Sequence, residues 1–170
     1  MPPLHAYFGP FDSPIGRFWM AGGDSGLLLI TRAETPDTLL ADLERAGRSA
    51  FPDTTALQEP IEWMRAYFAG ERPLAIPRLD LAGLPAFDAR VYRAAIDIPY
   101  GTSASYGDVA AAAGSPRAAR AAGGAMSRCP FSPVVPCHRV IHADGSIGGW
   151  GPDLWVKRWL LDHERLAATS

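Results

Sequence analysis

The chain has 170 residues, enough for one well-filled core or two small ones, and its 48% hydrophobic and 20% charged content is ordinary for a globular protein. No apolar run is long enough to span a bilayer, and the first residues, MPPLHAYFGPFDSP, lack the basic start and apolar stretch of a secretory signal, so an intracellular location is expected. The net charge of −2 hides an asymmetry: residues 1–85 hold seven arginines against eleven acids, residues 86–170 hold nine basic residues against seven acids, and residues 115–139 carry four arginines and no acid.

In chain order, AYFGPF, GRFWMAG and GLLLITRA read as strands separated by DSPIG and GGDSG, whose Gly, Pro and Asp punctuate a β-meander. TPDTLLADLERAG predicts a helix with Thr35 as its N-cap, Pro36 in the first turn and Gly47 near the end. ALQEPIEWMRAYFAGE predicts a second helix with Ile61, Met64, Tyr67 and Phe68 on one face. RPLAIPRLDLAGLPA is proline-interrupted and reads as an extended connector, which places an N-terminal, structural α/β lobe at 1–85 and a second domain at 86–170.

AFDARVYRAAIDIPYG reads as a helix broken by Pro99. Beyond it, alanine-rich residues up to Ala113 meet Gly114, a natural helix-terminating residue, and Ser115 and Pro116 supply an N-cap and first-turn proline for the next helix. Two helices joined so tightly make a helix-turn-helix, at about 105–127. The second of them, with Arg117, Ala118, Ala119, Arg120, Ala121, Ala122, Gly123 and Gly124, has almost no bulky side chains. Recognition helices normally carry long polar side chains into the major groove. Small residues permit close backbone approach instead, as minor-groove and phosphate contact require, and a helix packed tightly in a core would have the same composition.

The stretch VVPCHRVIHADGSIGGW, residues 134–150, sets Cys137 between Pro136 and His138. The chain has two cysteines, Cys129 and Cys137, both expected to be reduced. A thiol ionises near pH ~8.5 and needs help to react at neutral pH, ordinarily an imidazole steadied by a carboxylate. The last helix, about 153–166, offers Asp162 and Glu164. Adjacent side chains diverge, so Cys137 and His138 would cooperate through a turn or a bridging water. A metal site from Cys129, Cys137, His138 and His142 matches no common zinc spacing. A papain-like protease would begin a helix at the cysteine and keep its histidine far away in sequence, and a quiet core cysteine is equally compatible with the local composition.

PCHRV at 136–140, GSIGGW and KRWLLDHE after it, and IPYGTSASYGDVA and GSPRAARAAGGAM before it resemble, in order and spacing, the O6-alkylguanine-DNA alkyltransferases. The resemblance is close over about residues 99–164, and FDSPIG, YFAGE and PAFDARVYRAA extend it more loosely toward the N-terminus. It implies an α+β fold: a ribonuclease H-like lobe with an antiparallel sheet and helices, then a mostly helical, winged-helix-like domain whose active-site loop is 134–140. It implies a repair protein that acts once, moving an alkyl group from O6 of guanine in DNA to Cys137 as an irreversible thioether, with O4-alkylthymine an open second substrate. His138 would take the thiol proton through a water, Glu164 would orient the imidazole, and Tyr106 would donate its hydroxyl to the leaving guanine.

The resemblance also implies a pocket in which the carbonyls of Cys137 and Val140 accept from the guanine amino group and Gly151 N–H lies near O6, with Trp150 and Pro152 on the rim. The nucleotide must be rotated out of the stack, at ~a few kcal/mol. Arg120 would fill the gap, with Ser115, Arg117, Ala118, Ala119, Ala121 and Gly123 along the groove and the four arginines near phosphates. The implied partner is double-stranded DNA read with little sequence preference by a monomer, with no metal, cofactor or membrane. Three positions depart from the family pattern. Cys129 stands where an asparagine is usual, Trp150 where a tyrosine is usual, and Gly151-Pro152-Asp153 replaces a more flexible glycine-rich turn. The alternatives are a non-reactive lesion-sensing DNA-binding protein of the same fold and a sequence-reading regulator. The first would lack the cysteine, and the second would need the long base-reading side chains absent here.

Overall fold

The computed structural model describes residues 4–73 and 75–170. Leu74, in the expected connector, and the first three residues of the N-terminal stretch lie outside the described residues. The chain divides into two compact units, Met1–Leu81 and Ala82–Ser170. The boundary expected at 85/86 falls four residues further along.

In the first unit the meander forms β1 (Leu4–Ser13), β2 (Gly16–Gly23) and β3 (Gly26–Arg32), paired antiparallel. A fourth strand, β4 (Arg48–Pro52), pairs parallel with β1, so the sheet order is β3-β2-β1-β4 and the sheet is mixed rather than antiparallel throughout. A parallel partner needs a crossover. Helix α1 (Asp37–Arg45) supplies it and puts Leu39 and Leu43, both fully buried, against Ala6 and Ala21. Burying each leucine contributes about 1.5–3 kcal/mol. Thr35 does not cap α1. Its hydroxyl donates to Asp37, and Pro36 occupies the cap position.

Helix α2 (Gln58–Phe68) buries Pro60, Trp63, Met64 and Tyr67, while Ile61 and Phe68 are only half-buried. The inward stripe is therefore rotated by about one residue from the one expected, and Phe68 meets Phe11 of β1 and Phe18 of β2. The connector is not free-running: Leu27 N–H donates to Arg78 and Asp80 N–H to Leu27, so it lies along the β3 edge.

The second unit is mostly helical. Helix α3 (Ala86–Ile96) ends ahead of Pro99, with Asp97 as its cap. Helix α4 (Tyr106–Ala112) starts at Ser105, whose hydroxyl accepts Asp108 N–H while the Asp108 carboxylate accepts Ser105 N–H, a reciprocal cap that the sequence reading passed over. Gly114 ends that helix with φ +83°. Ser115 and Pro116 do not open the next helix. Ala118 N–H closes a turn on Ser115, and α5 (Ala119–Ser127) begins one turn later. A two-residue strand, β5 (Ala104–Ser105), pairs parallel with β6 (Val140–Ile141), and α6 (Leu154–Ala168) closes the chain. Among the described residues no helix is long and apolar enough to cross a membrane.

Candidate active site

Two backbone devices bring the site together. The β5–β6 ladder pairs Ala104 with Val140 and Ser105 with Ile141, so the first residue of α4, Tyr106, is tied to the strand that leaves the Cys137 loop. The loop itself turns through a short 3-10 segment, Cys137–Arg139, with Arg139 N–H donating to Pro136. That turn aims three consecutive side chains inward, and Cys137, His138 and Arg139 are all buried.

Helix α6 supplies the partners. Its buried stripe is Val156, Lys157, Leu160, Leu161 and Glu164, so a cation and an anion sit two turns apart on an otherwise apolar face. Glu164 is fully buried and accepts from four groups: His138 Nε2 at 2.6 Å, Arg139 Nε at 2.8 Å, Arg139 Nη2 at 3.0 Å and Gly101 N at 3.1 Å. Burial alone would raise its pKa, but hydrogen bonds and charge from His138 and Arg139 overcome it and hold the carboxyl well below the usual range. Asp162, the other acid considered, lies in an exposed pair with Arg165.

An ionised carboxylate only accepts, so His138 carries its proton on Nε2 and its lone pair on Nδ1. Burial lowers the imidazole pKa against the opposing pull of Glu164, which keeps the ring neutral and basic. The Cys137 thiol is 2% exposed, and burial, followed by its direct interaction with the Cys129 thiol, pushes its pKa well up. The resting sulfur is a protected thiol. Opposing this, the Lys157 charge favours the thiolate.

Lys157 is fully buried and donates to the carbonyls of Val140 at 2.6 Å and Gly148 at 3.2 Å, and its Nζ lies 3.5 Å from the Tyr106 hydroxyl. Burial lowers its pKa to about 8, with the Cys137 charge acting the other way. The Tyr106 phenol is raised by burial and then by Cys137, so it stays a donor. The ring of His142 packs on Tyr106 at 5.3 Å between centroids, and Gly123 of α5 sits against the same tyrosine. Gly149 has φ +98°, and a Cβ there would stand 3.0 Å from the Tyr106 hydroxyl, so only glycine fits.

The structure thus gathers Cys137, His138, Glu164, Tyr106 and Val140, the last with its carbonyl already engaged by Lys157. Trp150 is half-buried, and Gly151 and Pro152 are exposed in a separate 3-10 turn, Gly151–Asp153. On α5 one face, Ala122, Ala125 and Met126, is buried, whereas Arg120 and Ala121 are exposed, so the core and groove readings of this helix are both realised, on opposite faces. Arg117 is exposed and Ser115, Ala118, Ala119 and Gly123 are half-buried. The four arginines are not equivalent. Arg139 is buried on Glu164 and the Ile98 carbonyl, and Arg128 forks onto Asp88 of α3, which leaves Arg117 and Arg120 as the cations displayed at the helix-turn-helix.

Sequence reading missed Arg139 and Lys157. The signal for Lys157 was present: it holds an inward position of α6, three and four residues before Leu160 and Leu161 and seven before Glu164. Among the described residues no group of three or more His, Cys, Asp or Glu side chains gathers as metal ligands would.

Comparison with known proteins covers nearly the whole chain. Residues 6–80 match the family description "6-O-methylguanine DNA methyltransferase, ribonuclease-like domain" and residues 86–166 match "6-O-methylguanine DNA methyltransferase, DNA binding domain". The methylated-DNA–protein-cysteine methyltransferase of Mycobacterium leprae is 42% identical over 154 residues, 91% of this chain and 89% of the relative. The crystal structure of Mycobacterium tuberculosis O6-methylguanine methyltransferase superposes with a TM-score of 0.80 at 37% identity, over 95% of this chain and 94% of that one. A structure of the M. tuberculosis protein in complex with DNA also gives a TM-score of 0.80 at 37% identity, over 96% and 94% of the two chains.

Proposed function

Because the chain belongs to the 6-O-methylguanine DNA methyltransferase family, we propose that it repairs O6-alkylguanine in double-stranded DNA by direct reversal, taking the alkyl group irreversibly onto Cys137. The observation that carries this reading is the buried chain of Glu164, His138 and Cys137, in which a carboxylate held by Arg139 fixes a neutral imidazole beside a thiol.

The step is an in-line displacement. The Cys137 sulfur attacks the alkyl carbon, the carbon–O6 bond breaks, and the electron pair leaves with the purine. The thiol proton passes through a water to Nδ1 of His138, the resulting imidazolium being stabilised by Glu164. Tyr106 donates to the departing guanine, and Lys157, 3.5 Å from that hydroxyl, steadies the phenol and favours the thiolate as it forms. Burial suits a thiol used once, since it stays protonated and unreactive until a base enters the pocket. The thioether is left on the protein, so one molecule repairs one lesion.

DNA engagement is assigned to the exposed face of α5. Arg120 enters the duplex as the lesion is everted, Arg117 meets phosphate, and Ala118, Ala119, Ala121 and Gly123 let the backbone approach the minor groove. Val140, Trp150, Gly151 and Pro152 wall the purine pocket. A monomer acting inside the cell on duplex DNA, without metal or cofactor, suffices for this chemistry.

Mass spectrometry after mixing with duplex containing O6-methylguanine tests the proposal. One methyl on the Cys137 peptide and one event per molecule are expected. Tight binding without mass gain would identify a lesion sensor instead, and repeated turnover would exclude the single-use mechanism.

A further inference from the structure

The two cysteines of this chain bracket one loop. Cys129 follows the last residues of α5, with its N–H donating to Met126, and Cys137 opens the catalytic 3-10 turn, with its N–H donating to Val135. Between them the chain folds over buried Phe131, Val134 and Val135, and the Phe131 ring meets Tyr92 edge-on. This brings the loop's ends together, and the two thiols interact directly, although both are free. They differ in access, Cys129 being partly exposed and Cys137 buried. An asparagine at position 129, usual in proteins of this pattern, could not react with a sulfur beside it, whereas a thiol can.

We propose that Cys129 is a resolving thiol for Cys137, capturing that sulfur after attack by a hydroperoxide and holding it as a reducible disulfide. In the first step the Cys137 thiolate attacks one oxygen of hydrogen peroxide. The O–O bond breaks, hydroxide departs and is protonated to water, and the sulfur is left as sulfenic acid. In the second step the Cys129 sulfur attacks the sulfenic sulfur. The S–S bond forms, the S–O bond breaks, and the hydroxyl leaves as water with the proton lost by Cys129. In sum, two thiols are oxidised and one peroxide is reduced, giving one disulfide and two waters.

The consequence follows from the oxidation ladder of cysteine. A sulfenic acid left to a second peroxide becomes sulfinic acid, which ordinary thiols do not reverse, while a disulfide does reverse by thiol exchange. A protein that uses its sulfur once has no spare copy of it, so trapping the oxidised form preserves the molecule for repair. The partly exposed Cys129 is the sulfur a soluble reductant reaches first, and its attack there would release Cys137 as the thiol. This rests on reading Cys137 as the alkyl acceptor, but the disulfide itself is scored without any transfer.

The test treats the reduced full-length protein with hydrogen peroxide, blocks remaining thiols with iodoacetamide, and maps peptides before and after dithiothreitol. The expected product is two hydrogens lighter than the reduced chain, with Cys129 and Cys137 peptides cross-linked within one molecule. Methyl transfer from O6-methylguanine duplex should be lost on oxidation and return with dithiothreitol. In Cys129→Ser the same treatment should add two or three oxygens to Cys137, with no recovery. Wild-type protein that gains oxygens on Cys137 without the cross-link, or that links only between molecules, overturns the proposal. Reading the cross-link on the wild-type chain keeps the test valid should the variant fold poorly. A cross-link in a protein that accepts no methyl supports the thiol pair and overturns the transfer reading instead.

Discussion

Glu164→Gln is the sharpest probe of the buried network, because it changes charge with almost no change in shape. The carboxylate accepts four donors at 2.6 to 3.1 Å from His138, Arg139 and Gly101. A glutamine offers one carbonyl oxygen. If its NH₂ takes the Oε1 position it confronts His138 and Arg139 Nη2, and if it takes the Oε2 position it confronts Arg139 Nε and Gly101 N–H. Either way two buried donors lose their acceptor and the Arg139 charge is left uncompensated. Removing one member of a buried pair costs about 3–5 kcal/mol. For a chain of this length each kcal/mol is worth about 2–4 °C, so Tm should fall by about 6–20 °C. Methyl transfer should slow as well, since an NH₂ facing the imidazole favours the tautomer with its proton on Nδ1, where the base is needed. Thermal melting and single-turnover transfer to a methylated duplex read the two effects. Asp162→Asn is the control, because that acid sits in an exposed pair worth at most about 1 kcal/mol. If Glu164→Gln melts with the wild type and transfers at the wild-type rate, the network neither holds the loop nor sets the tautomer.

Cys137→Ala should abolish transfer and leave duplex affinity nearly unchanged in a gel-shift titration. Arg120→Ala should slow repair of a duplex lesion far more than reaction with free O6-benzylguanine, because only the duplex requires eversion; equal losses would count against the intercalating role. Gly149→Ala forces a side chain into a φ of +98° and against the Tyr106 hydroxyl, so a loss of about 1–3 kcal/mol in denaturant melts and slower transfer are expected. On acidification the unfolded chain protonates the imidazole at position 138 near its ordinary value of 6.5, while the folded one resists because burial has lowered it. Stability should therefore drop as pH falls below about 6.5, and His138→Gln should flatten that part of the profile in melts taken from pH 7 to 5.

The reactive stretch was legible because its chemistry is local. Cys137 and His138 are adjacent, Glu164 stands with Lys157 on one face of a periodic helix, and the tight turn at Gly114 needs only a residue that tolerates positive φ. Strand β4 was not legible. RSAFP is short, carries no clean alternation, and gains its partner only when α1 crosses over to set it beside β1. The displaced start of α5 is of the same kind, since Ser115-Pro116 suits a turn as well as a cap and packing chooses between them.

Covalent order and side-chain type determine which groups are reactive, where the chain can turn and which helix faces are apolar, so the sequence alone specified the nucleophile, its neighbouring base and the small-residue helix. Which acid meets His138, whether Arg139 and Arg128 face solvent or a carboxylate, and that Cys129 lies against Cys137 depended on contacts between residues up to 40 positions apart. A pKa and an ion pair are properties of an environment, and burial with its dielectric exists only after the chain has folded.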